Sequence, residues 1–269
     1  MSDTRKSIFI TGAASGLGRE VARYFTARGW FAGLADVDMA GCEETAAMLP
    51  AGHSSLHMLD VTDRAQWKQA VSDFADATGG YMNVLFNNAG IGSGGPIHEM
   101  RDEEIDQLIA VNITGVISGT RACFDLLKNT ADSCILYTAS AAGIYGAANL
   151  SVYSASKFAV RGLAEAHDIE LRRFGIKSRS LMPGFIDTHI IDAFGEGRNM
   201  TGKETLQSAG LPVSPVEIIG PAAWQAVHGD KLHTPVNKTA KQLSFAARWM
   251  PGRLRNQQAA LFKGNIDDL

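Results

Sequence analysis

The sequence contains few cysteines and no long apolar run. Only three of its 269 residues are cysteines, Cys42, Cys123 and Cys134, and they are widely spaced. This pattern predicts neither a disulfide framework nor paired metal ligands, so we expect reduced thiols and no bound metal. The apolar stretch Ile8–Ile10 is too short for a signal peptide, and no run reaches the ~18 apolar residues of a membrane-spanning helix. These absences predict a cytoplasmic protein without a membrane partner.

An excess of charge of one sign is also lacking. The formal net charge is −3 at pH 7, and 20% of the residues are charged. This balance gives no electrostatic preference for nucleic acid or for an anionic membrane. With 45% hydrophobic residues, the chain has enough apolar side chains for one sizeable core. We therefore expect a small-molecule partner and no nucleic acid.

Short apolar runs alternate along the chain with longer amphipathic segments. The runs show no in/out alternation, which is typical of strands that are covered on both faces. The candidate strands are Ser7–Thr11, Phe31–Asp36, Ser54–Asp60, Asn83–Asn87, Cys134–Ala139 and Ile176–Met182. Six such alternations predict an α/β Rossmann fold, a doubly wound parallel sheet with helices on both faces.

The pattern changes after the sixth candidate strand. Residues 184–212 are rich in glycine, asparagine and threonine with weak periodicity, which predicts a substrate-loop segment. Leu232–Val236 and Thr239–Met250 predict a last strand and a helix, giving about seven strands and a C-terminal extension from about residue 238. No pattern assigns an element from Pro251 onward. Without a repeat or a linker, we expect residues 1–269 to form a single domain.

A glycine-rich turn follows the first candidate strand. It reads TGAASGLG over residues 11–18 and leads into a helical pattern. Such a turn lets backbone N–H groups and a helix N-terminus approach a pyrophosphate, although glycines also form tight turns without a ligand. The candidate dinucleotide-binding residues here are Gly12, Ser15, Gly16, Leu17 and Gly18.

Asp36 ends the second candidate strand, 18 residues after Gly18. A carboxylate at this place can accept hydrogen bonds from the adenosine ribose, although a capping or turn aspartate is the alternative. It would repel the 2′-phosphate of NADP, and neither Ser15 nor Val37 supplies a compensating cation. Arg19 is close to the glycine turn in the sequence, but the pattern does not fix the direction of its side chain. We predict NAD(H) as the cofactor.

Tyr153 and Lys157 lie four residues apart in a segment, Ser151–Phe174, that has a helical pattern. Four residues bring both side chains to one face of a helix, one turn apart. At about 4 Å and an effective dielectric near 20, an ammonium would stabilise a phenolate by about 4 kcal/mol. This predicts a tyrosine pKa moved from about 10 toward about 7, as proton transfer near neutral pH requires. A surface helix pair is the alternative.

Two further polar residues are candidates for the same site. Ser140 follows the fifth candidate strand, and the carboxyl edge of an open α/β sheet is where ligands bind. It can therefore share one substrate oxygen with Tyr153, or it can be a helix-capping serine. Asn112 falls on the apolar face of a predicted helix, Ile105–Val116, where its amide needs partners. Backbone carbonyls or a water chain would serve.

Together these residues resemble the short-chain dehydrogenase/reductase family, of the classical type. The matching segments are Thr11-Gly12-x-x-x-Gly16-x-Gly18, Asp60-Val61, Asn87-Asn88-Ala89-Gly90, Asn112, Ser140, Tyr153-x-x-x-Lys157 and Pro183-Gly184-x-x-x-Thr188. They occur in the family's order and spacing over about residues 5–190. The resemblance implies an oxidoreductase that is a homodimer or homotetramer, formed through the helices that carry Asn112 and Tyr153.

The resemblance also implies a role for each matching residue. Tyr153 would be the catalytic acid/base, Lys157 would bind the nicotinamide ribose, and Ser140 would position the substrate oxygen. Asn112 would hold a water molecule in a proton relay. The remaining cofactor-binding residues would be Asp60 and Val61 at the adenine, Asn88, Ala89 and Gly90 along the cofactor, and Pro183, Gly184, Ile186 and Thr188 near the nicotinamide.

Three hypotheses for the function follow. The preferred one is an NAD(H)-dependent oxidoreductase acting on a hydrophobic secondary alcohol or ketone, with Ile144, Tyr145 and Phe185 suggesting an apolar pocket wall. The second is an NADPH-dependent carbonyl reductase of the ketoacyl type, against which Asp36 argues. The third is an NAD-binding sensor or scaffold without catalysis. Such a protein would not need Ser140, Tyr153 and Lys157 together.

Overall fold

The computed structural model describes residues 5–188, 190–191, 203–204, 206 and 211–264. Its seven parallel strands form one sheet with the order β3-β2-β1-β4-β5-β6-β7. The strands are β1 Ser7–Thr11, β2 Phe31–Asp36, β3 Ser54–Met58, β4 Val84–Asn87, β5 Cys134–Thr138, β6 Lys177–Met182 and β7 His233–Pro235. The order reverses between β1 and β4, which creates the crevice where open α/β sheets bind ligands.

Helices cover both faces of this sheet, which confirms the predicted doubly wound fold. The helices are α1 Gly16–Thr26, α2 Met39–Ala47, α3 Arg64–Thr78, α4 Asp102–Ile109, α5 Val116–Ala122, α6 Phe124–Lys128, α7 Ser151–Glu170, α8 Ile219–His228, α9 Lys238–Trp249 and α10 Pro251–Gly264. Short 3₁₀ helices occupy Ala141–Gly143, Arg172–Phe174 and Val216–Ile218.

Each face of the sheet has its own hydrophobic core. On one face, alternate strand residues such as Ile8 pack with Phe25 of α1 and Ala223 of α8. On the other face, Phe9 packs with the aromatic residues of α3, and its ring lies 5.1 Å from that of Phe74 with an edge-to-face geometry. Burial on both faces explains why the central strands are continuous apolar runs in the sequence.

The predicted helix around Asn112 is interrupted. A π-helical segment, Ala110–Gly115, lies between α4 and α5 and holds Asn112. Such single-turn bulges insert an extra residue into a helix and are frequent at functional sites. The 3.6-residue pattern does not reveal them, because the apolar face continues through the bulge.

The C-terminal part contains more structure than the sequence pattern assigned. The predicted last strand and helix are present as β7 and α9, and a further helix, α10, follows from Pro251. The predicted substrate-loop segment, residues 184–212, lies partly outside the described residues. Among the helices of the described ranges, none is both long and apolar enough to cross a membrane.

Candidate active site

A cavity of about 1370 Å³ opens at the carboxyl ends of the strands, where the strand order reverses. It exceeds the ~300–1,000 Å³ of most small-ligand pockets, so a dinucleotide and a second molecule can share it. Most residues that the sequence singled out line it. They are Gly12, Ser15, Gly16, Leu17, Asp36, Asp60, Val61, Asn88, Ala89, Gly90, Ser140, Tyr153, Lys157, Pro183, Gly184, Phe185, Ile186 and Thr188.

The glycine turn connects β1 to α1 at the floor of this cavity. Gly12 has a φ of +69°, a left-handed conformation that glycine adopts without strain. Gly18 is not among the lining residues; a Cβ there would lie 2.0 Å from the Gly12 carbonyl oxygen. Its role is therefore the close packing of helix against turn. Ser15 is the N-cap of α1, and its hydroxyl makes no capping bond.

The end of β4 is fastened to the glycine turn by hydrogen bonds. Asn88 Nδ2 donates to the Thr11 carbonyl oxygen at 3.0 Å, and Thr11 Oγ1 accepts from the backbone N–H groups of Asn88 and Ala89 at 3.0 Å. On the far side, Thr138 Oγ1 donates to Asn88 Oδ1 at 3.0 Å. The side chain of Asn88 thus joins β1, β4 and β5 along one edge. This organising role is visible only once the strand order is known.

Asp36 is placed beside the glycine turn. Its Oδ2 accepts from Ala14 N and its Oδ1 from Asp38 N, each at 3.1 Å. Arg19, whose direction the sequence left open, turns away from the cavity to Thr45 and forms an ion pair with Glu44 at 3.0 Å. Both the turn-capping and the ligand-facing interpretation of Asp36 are compatible with this geometry, since a carboxylate accepts several hydrogen bonds.

Charge is distributed unevenly along the cavity. Asp36 and Asp60 lie at the end next to β2 and β3, and Lys157 lies on α7. Within the described part of the lining, Lys157 is the one cationic side chain. No group of three or more histidine, cysteine, aspartate or glutamate residues suited to a metal ion was found in the same part of the chain.

Tyr153 and Lys157 lie one turn apart on α7, and both are buried. Lys157 Nζ lies 5.5 Å from the centroid of the Tyr153 ring and donates to the Thr138 carbonyl oxygen at 3.1 Å. Ser140 lies just beyond β5, and its side chain lies close enough to the Tyr153 phenol to lower the pKa of that phenol. Ser140 Oγ also accepts from Ala142 N at 3.1 Å, so this serine is a cap as well as a neighbour of the tyrosine.

The expectation that the chain's own charges bring the tyrosine pKa toward 7 is wrong. Burial raises the pKa of Tyr153 above its ordinary value of 10, and the neighbouring Ser140 side chain opposes this only in part. Burial also lowers the pKa of Lys157 to about 8. The sequence-based estimate took the Coulomb attraction alone, whereas the loss of hydration disfavours both charged forms.

Asn112 is fully buried in the π-helical segment and does not line the cavity. Its Oδ1 accepts from Ile91 N at 2.9 Å, and its Nδ2 donates to Ile91 O at 3.0 Å and to Ser156 Oγ at 3.2 Å. Backbone groups thus satisfy its amide, one of the two possibilities that the sequence left open. Asn112 fixes the loop that follows Gly90 through Ile91, and a water relay through it stays a prediction.

The segment after β6 also lines the cavity. Ala141 N donates to the Pro183 carbonyl oxygen at 2.7 Å, which joins this segment to the turn after Ser140. Ile186 pairs with Ser214 in an isolated parallel bridge. These contacts hold Pro183 and Ile186 at the cavity, where the sequence placed them.

One predicted pocket residue lies elsewhere. Ile144 is 7% exposed and belongs to the hydrophobic core between the sheet and α7, not to the cavity lining. Its neighbour Tyr145 lines the cavity instead. Apolar character alone cannot separate the two, because both are large and both directly follow the 3₁₀ helix Ala141–Gly143.

The sequence interpretation missed several lining residues. Thr138 precedes Ser140 by two positions and could have been found as the last residue of a strand that ends at the site. Gln107 of α4 and the cavity-facing residues of α9 and α10 gave no signal, because an exposed glutamine is ordinary in any helix.

These residues fit a nicotinamide dinucleotide. The Gly12 turn and the free Ser15 hydroxyl at the α1 N-terminus suit a pyrophosphate, and the carboxylates at the β2 and β3 ends suit ribose and adenine hydrogen bonding. Lys157, which is hydrogen-bonded to the Thr138 carbonyl oxygen at the end of β5, lines the same cavity. The fold and this site together define a dinucleotide-binding α/β oxidoreductase.

The chain belongs to the short-chain dehydrogenase family, since the family model described as "short chain dehydrogenase" matches residues 6–199. It is 34% identical over 214 residues to a 3-alpha-(or 20-beta)-hydroxysteroid dehydrogenase of Mycobacterium tuberculosis, covering 79% of each chain. It is 30% identical over 260 residues to the probable oxidoreductase EphD of the same organism. That match covers 93% of this chain and 44% of EphD, so the chain spans less than half of that relative.

A solved structure is similar over most of the chain. It is a short chain dehydrogenase/reductase from Burkholderia phymatum in complex with NAD, 27% identical, with a TM-score of 0.81. The likeness covers 96% of this chain and 97% of that one, which includes the C-terminal part beyond the family match. The comparisons thus confirm the family and the fold that the sequence predicted.

Proposed function

We propose that this protein is an NAD(H)-dependent oxidoreductase that transfers a hydride between nicotinamide and a hydrophobic secondary alcohol or ketone. The observation that carries the proposal is the placement of Tyr153, Ser140 and Lys157 together at the wall of a dinucleotide-sized cavity. Membership of the short-chain dehydrogenase family makes the chain an oxidoreductase. The cofactor and the class of substrate are what the proposal adds.

Each of the three residues has a distinct part in the proposed reaction. Tyr153 donates the phenol proton to a ketone oxygen, or accepts the proton of an alcohol as phenolate. Ser140, whose side chain lies beside Tyr153, orients the same substrate oxygen. Lys157 binds ribose hydroxyls and stabilises the phenolate when it forms. The dinucleotide, when bound, supplies the hydride or accepts it.

The substrate end of the cavity supports an apolar molecule. Tyr145, Phe185, Leu206 and Leu211 line the cavity, and Lys157, which we propose binds the ribose, is the one cationic side chain in its described lining. With Lys157 engaged by the ribose, a carboxylate or phosphate group on the substrate would find no second cation in the described lining. A hydrophobic secondary alcohol or ketone is therefore favoured over the acyl thioesters of a ketoacyl reductase.

The test of this function is the absorbance at 340 nm of the protein with NAD and a panel of hydrophobic secondary alcohols. We expect NADH to form with at least one of them, and the reverse assay to consume NADH with the matching ketone. Tight NAD binding without turnover of any alcohol or ketone would instead indicate a sensor or scaffold.

Asp36 is expected to select NAD. Its carboxylate would face the 2′-phosphate of NADP, and Arg19, the cation next to the glycine turn in the sequence, is already paired with Glu44. Asp36→Asn keeps an acceptor for the Ala14 N–H and removes the charge, so we expect the NADPH/NADH ratio of kcat/KM to rise by about 10-fold or more. Steady-state kinetics with both cofactors measures this ratio.

The matched control is Asp60→Asn, which removes a charge from the same cavity at another position. This control should leave the NADPH/NADH ratio of kcat/KM within about two-fold of the wild-type ratio. If wild-type protein already prefers NADPH, or if both variants change the ratio equally, Asp36 does not select the cofactor.

We also propose a homodimer or homotetramer in a reducing, cytoplasmic compartment. The outer faces of α5 and α7 expose Ile117 and Phe158, which are 38% and 42% accessible. These are the helices that the family resemblance places at the subunit interface. Their apolar side chains support burial against a second copy.

A further inference from the structure

The cavity continues beyond the reacting groups to two C-terminal helices. Both α9 and α10 follow residue 199, where the match to the family model ends. α9 packs against the 3₁₀ helix Ala141–Gly143, directly after Ser140, and α10 packs against α9. The pair therefore adjoins the turn that carries the candidate catalytic serine.

Each of these helices turns one face to the cavity. The lining residues are Thr239, Gln242, Leu243 and Ala246 of α9 and Leu254, Gln257 and Gln258 of α10. Their spacings, i, i+3, i+4 and i+7 in α9 and i, i+3 and i+4 in α10, place each set on a single stripe. A regular stripe on both helices indicates a wall of the cavity, not an accidental contact.

The wall is anchored to the cofactor side of the site. Asn237 Oδ1 accepts from Ala240 N at 2.9 Å and so caps α9, and Asn237 Nδ2 donates to Ser214 Oγ at 3.1 Å. Ser214 N in turn donates to the Phe185 carbonyl oxygen at 2.9 Å. The position of α9 is thus coupled to the segment that carries Pro183 and Gly184.

The chemistry of the wall is mixed. Leu254 is 5% exposed, and with Leu243 it gives the wall an apolar part. Beside these leucines lie the amides of Gln242, Gln257 and Gln258, whose side chains make no hydrogen bond within the described part of the chain. Gln258 is half-buried, and Gln242 and Gln257 are exposed, so their amides are open to a molecule in the cavity. Each amide offers two donors and an acceptor without a net charge. Such a wall suits an apolar body that ends in a hydroxyl or carbonyl group.

We infer that α9 and α10 form a distal subsite that binds an uncharged oxygen function at the far end of an elongated, mostly apolar substrate. This inference rests on the proposed function, since the near end of the substrate is the carbon that reacts beside Tyr153. The substrate class is then a long or ring-fused alcohol or ketone with a second oxygen at the opposite end. A short ketone would react without using this subsite.

The experiment compares three probes with wild-type protein and with the double variant Gln257→Leu/Gln258→Leu. The probes are a tetracyclic diketone with its carbonyls at opposite ends, the monoketone of the same skeleton, and a small cyclic ketone. Losing one or two neutral hydrogen bonds should lower kcat/KM for the diketone by about 3- to 30-fold, mainly through KM. For the monoketone and the small ketone, kcat/KM of the double variant should stay within about two-fold of the wild-type value.

The control is Asn256→Leu, which replaces an exposed amide of the same helix that does not line the cavity. It should leave all three values unchanged. The inference is overturned if the double variant affects diketone and monoketone equally, if it affects neither, or if wild-type protein reduces the small ketone but neither tetracyclic one. These outcomes leave the proposed function standing. If no ketone is reduced at saturating NADH, both the inference and the proposed function are overturned.

Discussion

Replacing Tyr153 with phenylalanine is expected to lower kcat by about 10²–10⁴-fold while NADH affinity stays within about two-fold. The ring is buried, so phenylalanine keeps the packing and removes only the hydroxyl. General acid–base catalysis by a positioned side chain contributes a factor of this size. Steady-state turnover and NADH fluorescence titration measure the two quantities on the same preparation.

Tyr145→Phe is the matched control, because Tyr145 lines the same cavity without being on α7. We expect it to keep at least a tenth of the turnover. The assignment of Tyr153 as acid/base fails if its phenylalanine variant retains more than a few per cent of the wild-type rate, or if both variants lose the same factor.

Lys157→Met is the second change with a large expected effect, and it should act on catalysis, cofactor binding and stability at once. Loss of charged hydrogen bonds to ribose should weaken NADH binding by about 10- to 100-fold. Turnover should fall further, since the phenolate loses its stabilising cation. In wild-type protein, NADH affinity should also decline as pH rises through about 8, the pKa of the buried ammonium. The variant should lack this pH step.

The same substitution is expected to stabilise the fold. Lowering the lysine pKa from 10.5 to about 8 corresponds to about 3 kcal/mol that the folded state loses by burying the ammonium. This destabilisation is fully present below pH 8. It disappears as pH rises toward 10.5, because the lysine of the unfolded chain then also becomes neutral. Thermal melting at pH 7 should therefore give a higher Tm for Lys157→Met than for wild type. A lower Tm would show that the contacts of Lys157, such as its bond to the Thr138 carbonyl oxygen, outweigh the loss of its hydration.

Much of the site was predictable because its signals are local. The glycine turn, Asp36, Ser140 and the Tyr153–Lys157 spacing each follow a strand or lie on a helix that the pattern identifies. Parallel strands bring their carboxyl ends to one edge, so the sequence order already implies that these residues meet.

The remainder depends on packing that no local pattern records. The tyrosine pKa reflects how deeply Tyr153 is buried, which sequence spacing does not reveal. The direction of Arg19 is set by Thr45 and Glu44 of α2, far along the chain. Likewise, the wall formed by α10 could not be assigned, since its mixed glutamine and leucine content predicts no definite buried face.

The central claim is that the buried phenol of Tyr153 becomes a proton acceptor within the cofactor complex. The most direct test is a difference titration near 295 nm of wild type against Tyr153→Phe, with and without saturating NAD. We predict one phenol that titrates above 10 in the protein alone and well below 10 with NAD bound, because Lys157 and the cationic nicotinamide both favour the phenolate. A Tyr153 pKa that stays at or above 10 with NAD bound would contradict the account.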